Sequence, residues 1–278
     1  MANITAADVN KLRQMTGAGM MDCKNALKEN DGDFELAIEF LRKKGQKLAN
    51  KRADRDANEG IVIAKTNAAN TYGAVLMLNC ETDFVGKNDE FVNFANSILD
   101  LAIQKGAKSL DELKTLELDG HTVMESVTEM IGKTGEKMDI SHFDVIEAPM
   151  VFAYNHHGNR LSTLLGLNKA DVPEIKTLGH EIAMQVAAMA PLAVDKDDVD
   201  AETIQKEIEI GKDVARQEGK PEEMLEKIAM GKLNKFYKEN TLLNQESIKD
   251  NKTTVREMLV KADKGLTVTG FRRLMLGA

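Results

Sequence analysis

The chain has 278 residues, of which 42% are hydrophobic and 29% charged, an ordinary composition for a soluble globular protein of two or three modules. Its net charge of −8 argues against a general nucleic-acid binder. No apolar run approaches the roughly 18 residues that span a bilayer, and the N-terminus lacks the features of a signal peptide. The two cysteines make no disulfide framework. We therefore expect a cytoplasmic protein with no direct contact to nucleic acid or membrane.

The charge is unevenly distributed along the chain. Residues 1–55 carry 11 Lys and Arg against 8 Asp and Glu, a net +3, whereas the remainder carries 26 against 37, a net −11. Much of the positive charge lies between Arg42 and Arg55. This run indicates either a solvated helix end and linker or a surface that attracts an acidic partner.

Residues 1–55 are predicted to form a module of three short helices. Thr5 followed by Asp8 fits a capping box for the first helix, and Gly17 and Gly19 end it before a second helix begins near Met20. After a further turn, Asp33 is a candidate cap for the third helix, whose apolar positions are Phe34, Ala37, Ile38 and Leu41. The layout resembles the ubiquitin-associated fold.

A core subdomain is expected over residues 56–138. Two strand-like runs, Gly60 to Lys65 and Tyr72 to Cys80, follow a charged linker. After them comes an acidic and aromatic tip, then an amphipathic helix from Phe91 to Ala102 and another helix over 120–135.

A second, related α/β subdomain is expected over residues 139–198. Its predicted strands run from Ile140 to Glu147, Met150 to Asn155 and Leu161 to Leu167, and a helix follows over 172–190. Leu-rich strands before a tip in both subdomains indicate a weak internal duplication.

The last part of the chain is predicted to contain an inserted antiparallel helical hairpin over 199–245. Its arms, 201–218 and 221–240, are separated by Gly219-Lys220-Pro221. Residues 246–278, with a helix over 253–262 and a strand over 267–276, are expected to return the chain to the second subdomain. The predicted fold class is therefore α+β, with antiparallel strands in the two core subdomains.

Motifs for enzymatic chemistry are weak in this sequence. There is no phosphate-cradling GxxxxGK[ST] loop, and His180-Glu181 lacks the second histidine of a zinc-protease helix. Cys23 near a helix start could be a nucleophile, yet the sequence places no base beside it, so a small buried residue is the favoured interpretation. We predict no enzyme, no cofactor and no metal site.

Two segments stand out as candidate contact surfaces. Met20 and Met21 lie on a glycine turn at a helix entrance, where large flexible apolar side chains suit adhesion to another protein. The alternative is that they fill the helical module, and we expect one of them to face inward. Thr82, Asp83, Phe84 and Val85 form the second segment, called the TDFV tip below. Its alternative is an ordinary turn with Phe84 folded back onto its own sheet.

Together the Thr16-to-Leu27 block and the TDFV tip closely resemble the bacterial elongation factor Ts family, the exchange factors for the GTPase elongation factor Tu. Further matches, over nearly the whole chain, include Gly32-Asp33, Tyr72-Gly73, His157-Gly158, Gly219-Lys220-Pro221 and Val268-Thr269-Gly270-Phe271. The resemblance implies nucleotide exchange without covalent chemistry.

The resemblance also implies roles for particular residues. Arg13, Met20 and Met21 would dock on the GTPase domain of elongation factor Tu. Asp83 and Phe84, carried between Thr82 and Val85, would wedge beside its magnesium site, and His157 would belong to a second contact patch. Disturbed Mg²⁺ and phosphate coordination would then release GDP and admit GTP.

The sequence departs from the family pattern in three places. Gly86 stands where the family usually has alanine, one extra residue precedes His157, and the sequence ends soon after 267–276, where some relatives carry a further helix. Self-association through the hairpin stays open. Two other functions are kept as alternatives: a helical adaptor or chaperone-like binding module, and a thiol hydrolase centred on Cys23.

Overall fold

A computed structural model describes residues 4–277, and it has a mixed α+β fold. Contacts divide the chain into two compact units. The first takes in the chain up to Ile63, Leu76–Asp144 and the chain from Met275 onward; the second takes in Ala64–Val75 and Val145–Leu274. Among the helices described between residues 4 and 277, none has the length and apolar character needed to cross a membrane.

Three helices begin the first unit, and the residues predicted as caps start the first and the third of them. They are α1 (Ala6–Thr16), α2 (Met20–Glu29) and α3 (Phe34–Arg52). Thr5 and Asp8 form the predicted capping box, and the Asp33 side chain accepts a hydrogen bond from the Leu36 amide. Val9, Leu12, Cys23, Ala26, Leu27 and Ala37 form a small buried core. Local capping thus fixes the start of α1 and of α3, and all three helices share one apolar face.

After α3 the chain forms the strands β1 (Glu59–Thr66) and β2 (Tyr72–Cys80), whose joining stretch Ala64–Val75 is assigned to the second unit. After β2 come a one-turn helix, α4 (Asp83–Gly86), and the amphipathic helix α5 (Asp89–Lys105). The chain continues through α6 (Leu110–Thr115), the short strands β3 (Glu117–Leu118) and β4 (His121–Thr122), and α7 (Val123–Thr134). The prediction missed α4, α6 and the β3–β4 pair, which are too short for a periodic signal.

Strand β5 (Met138–Glu147) joins β1 and β2 in one sheet, in the order β1-β2-β5. The sequence analysis placed this strand in the second subdomain, together with the two strands that follow it. The observed pairing with β2 corrects that grouping. The Ser141 hydroxyl donates to Asn79 Oδ1 at 2.5 Å, which links β5 to β2 across 62 positions. A strand's place in a sheet depends on such long-range pairing, and alternation within the strand does not specify it.

The second sheet has the order β6-β7-β8 and lies in the second unit. Strands β6 (Met150–Asn155) and β7 (Leu161–Leu167) pair antiparallel, with Met150 opposite Leu167 and Asn155 opposite Ser162. Helix α8 (Ile175–Met189) and helix α11 (Val255–Ala262) contribute to its core, and β8 (Val268–Met275) completes the sheet.

Helices α9 (Ala201–Gln217) and α10 (Glu222–Asn240) pack against each other as the predicted hairpin. At 1.5 Å per residue they are about 26 and 29 Å long. A Cβ added at Gly211 would lie 3.0 Å from Ala229 Cα, so a glycine permits the close approach of the two helices.

Candidate protein-docking site

The turn between α1 and α2 presents methionine side chains to solvent. Gly17 ends α1 in the left-handed region at φ 66°, and its amide donates to the Arg13 carbonyl at 2.7 Å. Met20 is 49% exposed and Met21 66% exposed, and Met15, which the sequence analysis did not single out, is exposed beside them in the chain. We call Met15, Met20 and Met21 the methionine patch.

The expectation that one of the two predicted methionines faces inward is wrong. The buried face of α2 is formed by Cys23, Ala26 and Leu27, which begin two positions beyond Met21. These side chains already fill the core side of the helix, so both methionines stay outside. Arg13, in the last turn of α1, is also exposed.

The TDFV tip forms the one-turn helix α4 directly after β2. Thr82 is its N-cap, and its hydroxyl accepts a hydrogen bond from the Val85 amide at 3.4 Å. The Phe84 side chain is 84% exposed, which excludes the alternative that it folds back onto its own sheet. A phenylalanine so exposed on a capped turn leaves its large apolar surface available for a partner.

Other side chains hold this tip in place. Glu136 accepts two hydrogen bonds from Thr82, at 3.1 Å from the amide and 2.7 Å from the hydroxyl. Lys87 Nζ lies 2.6 Å from the Asp83 carboxylate, and this hydrogen bond, with the charge of Lys87, lowers the pKa of Asp83. Asp83 therefore carries its negative charge at neutral pH.

Both cysteine thiols are buried. The Cys23 thiol donates to the Ala18 carbonyl at 3.6 Å, and the Cys80 thiol donates to the Thr82 carbonyl at 3.1 Å. Burial, with the nearby charge of Glu136, raises the pKa of Cys80 to about 12. A buried thiol without access to substrate does not serve as a nucleophile, which contradicts the thiol-hydrolase alternative.

Glu81, immediately before the tip, is a site residue that the sequence analysis missed. Its carboxylate oxygens lie 2.9 Å from Arg52 Nη1 and 2.9 Å from Arg55 Nη1, and one of them accepts the Lys137 amide at 2.7 Å. Burial alone would raise the pKa of Glu81, but the Lys137 amide and the two guanidinium groups outweigh burial and lower it to about 2. Two arginines of the basic run after Arg42 thus form ion pairs within the chain. The only sequence signal for this pairing was the opposite charge of Glu81 and the basic run.

The Glu81 carboxylate should make the stability of this protein depend on acid pH. Its folded pKa lies below the ordinary 4.5, so its stabilising contribution is present above pH 4.5 and is lost as the pH falls towards about 2. We expect Glu81→Gln to lower the free energy of unfolding at pH 7 by about 2 kcal/mol, allowing for partial solvent screening. Urea unfolding of both proteins at pH 7 and pH 3 measures this difference, which should narrow at pH 3. A difference in unfolding free energy that is the same at pH 7 and pH 3 would contradict this prediction.

His157 belongs to the second unit, in the turn between β6 and β7. Its side chain is exposed, and Gly158 next to it has φ 86°, which allows the tight turn. The neighbouring His156 Nδ1 is hydrogen-bonded to the Tyr154 hydroxyl at 2.9 Å.

Over residues 4–277 the structure brings together no group of three or more His, Cys, Asp or Glu suited to hold a metal ion.

Comparisons with known proteins show which family the sequence resembles. The sequence matches the family described as Elongation factor TS over residues 81–278. It is 52% identical over 278 residues to elongation factor Ts of Flavobacterium psychrophilum, and 51% identical over 277 residues to that of Christiangramia forsetii, with 100% of each chain covered. Elongation factor Ts of Amoebophilus asiaticus is 50% identical over 275 residues, which cover 99% of both chains.

The exposed Phe84 and the exposed methionine patch are large apolar side chains on the surface, a feature typical of proteins that bind other proteins. The comparisons give the particular family. The chain belongs to the elongation factor Ts family. Its function in translation elongation is nucleotide exchange on elongation factor Tu, and it is not an enzyme.

Proposed function

We propose that the chain releases GDP from elongation factor Tu by contact at two places on the first unit. The methionine patch and Arg13 dock on the GTPase domain, and the TDFV tip enters beside the magnesium site. The observation that carries this proposal is the exposure of Phe84 on a capped one-turn helix. His157, exposed on its own turn, supplies a further contact from the second unit.

The thermodynamic basis of exchange is reciprocal coupling between two ligands. If binding of this chain weakens GDP binding by some factor, GDP weakens binding of the chain by the same factor. Burial of one phenylalanine side chain contributes about 1.5 to 3 kcal/mol, and each 1.4 kcal/mol changes an equilibrium tenfold. An apolar wedge on this scale is sufficient to disturb Mg²⁺ and phosphate coordination, so that GDP leaves and GTP can enter.

The finer organisation of the chain is part of the same proposal. Residues 1–55 form a docking module like a ubiquitin-associated domain, and 56–138 and 139–198 are two related core subdomains, with β5 paired to β2 of the first. The hairpin at 199–245 is an insertion, after which 246–278 return to the second subdomain. Three helices around one apolar core, with side-chain caps on α1 and α3, support the first assignment. The proposed location is the cytoplasm, where translation takes place, with no direct contact to nucleic acid or membrane.

Mixing the chain with GDP-loaded elongation factor Tu tests this function directly. Release of a fluorescent GDP analogue should accelerate when the chain is present in catalytic amounts. A helical adaptor or chaperone-like module would bind without changing the release rate, so an unchanged rate would favour that alternative. Light scattering of the isolated chain tests self-association through α9 and α10.

Replacing Met20 and Met21 together with alanine should weaken docking. Both side chains are exposed, so the fold loses little, whereas a partner loses two apolar contacts worth about 1 kcal/mol each. We expect the half-saturating concentration in the GDP-release assay to rise about tenfold or more. Met224→Ala, an exposed methionine on α10, is the matched control and should leave the assay unchanged. Equal effects of the two variants would contradict docking through this turn.

A further inference from the structure

The basic end of α3 turns inward, towards the residue that precedes the tip. Arg52 is 22% exposed and its partner Glu81 17% exposed, so this ion pair is largely shielded from water. Arg55 binds the other carboxylate oxygen of Glu81. Shielded pairs keep a defined geometry, because breaking one leaves a partly buried charge without its partner.

Lys137 connects the same two segments a second time. Its amide donates to Glu81, while its Nζ donates to the carbonyls of Ala53 at 2.6 Å and Arg55 at 2.7 Å. The end of α3, the start of the tip and the start of β5 therefore meet around one carboxylate. We call Glu81, Arg52, Arg55 and Lys137 the Glu81 clamp.

Lys133 links the other side of the tip to the turn between α1 and α2. Lys133 on α7 lies 3.2 Å from Glu90, in the first turn of the helix after the tip. The Lys133 side chain also lies over Gly17, where an added Cβ would come within 2.7 Å of its Cε. Between these contacts α3 crosses α7 closely, since a Cβ at Gly132 would be 3.3 Å from Gly45 Cα.

We propose that Glu81 is a positioning residue, which holds the methionine patch and Phe84 at a fixed separation so that docking of one places the other. This inference rests on the proposed function and adds how the two contacts are coupled. Two contacts on one rigid body make the second an intramolecular event with a high effective concentration. With the clamp open, the docking module still binds, but the tip must be ordered separately, which costs free energy.

The experiment measures GDP release at increasing concentrations of Glu81→Gln and resolves half-saturating concentration from maximal rate. Glutamine keeps an acceptor for the Lys137 amide but loses the charge that binds both arginines. We expect the maximal rate to fall about tenfold, the equivalent of one lost 1.4 kcal/mol interaction, with less than about a threefold change in half-saturation. Arg52→Lys, which keeps the charge, should retain more of the rate than Arg52→Gln.

Glu239→Gln removes an exposed carboxylate paired with Lys235 on α10 and should leave both parameters unchanged. An unchanged maximal rate in both Glu81→Gln and Arg52→Gln, with circular dichroism showing folded proteins, overturns the positioning role. Equal losses in Arg52→Lys and Arg52→Gln also overturn it. Phe84→Ala separates the two proposals: if it releases GDP normally, the proposed function fails, and if it is slow while Glu81→Gln is normal, only the clamp fails.

Discussion

Phe84→Ala should slow GDP release from elongation factor Tu by roughly 10- to 100-fold, the range that corresponds to burial of one phenylalanine side chain at 1.5 to 3 kcal/mol. Phe84 is largely exposed in the free chain, so its removal takes away almost no internal packing. The melting temperature should therefore stay within the small range typical of surface substitutions. Stopped-flow fluorescence with a labelled GDP analogue measures the release rate.

Leu192→Ala is the matched control for this prediction. Leu192 is also a large, exposed apolar residue, but it lies in the second unit, outside the proposed contacts. It should change neither the release rate nor the melting temperature. If elongation factor Tu releases GDP equally fast with either variant and with the unsubstituted chain, the tip has no part in exchange. If Phe84→Ala lowers the melting temperature strongly, the side chain has a structural role instead.

Local chemistry allowed most helices and strands to be predicted from the sequence. Thr5 with Asp8 and Asp33 are caps whose hydrogen bonds are complete within three residues, so their effect can be read without tertiary information. Gly219-Lys220-Pro221 likewise separates α9 from α10 as expected. The predicted bounds of β6 and β7 agree with the structure for the same reason, since alternation and a polar turn are local signals.

Long-range geometry explains what the sequence did not reveal. The place of β5 beside β2 and the pairing of Glu81 with Arg52 both join residues far apart in the chain. Complementary charge was visible, but many arginines and carboxylates could have paired, and only the fold selects one pair. The sequence showed the Met20–Met21 motif but not the direction in which each methionine points. The first turn of α2 extends past the apolar core on which the rest of the helix packs. The roles of these residues in binding stay predictions.

A single Cβ at Gly60 should destabilise the first unit. Gly60 has φ 141°, a conformation that L side chains rarely adopt, and an added Cβ would lie 2.1 Å from the Leu78 carbonyl oxygen. Backbone of the neighbouring strand cannot give way as a flexible side chain can. We expect Gly60→Ala to lower the free energy of unfolding by about 3 kcal/mol, and the melting temperature by about 5–10 °C. Thermal unfolding followed by circular dichroism measures this change.

Gly231→Ala is the opposite case and serves as its control. Gly231 lies inside α10, and an added Cβ meets no atom within 4 Å. Alanine has the better helix propensity, so this variant should be more stable by about 0.5–1 kcal/mol.

Gly60 also lies beneath Gly86, where an added Cβ would be 3.2 Å from the Gly60 carbonyl oxygen. Glycine at both positions therefore lets the end of the tip helix lie close against β1, and a Gly60→Ala protein as stable as the original would show that β1 can move away at little cost.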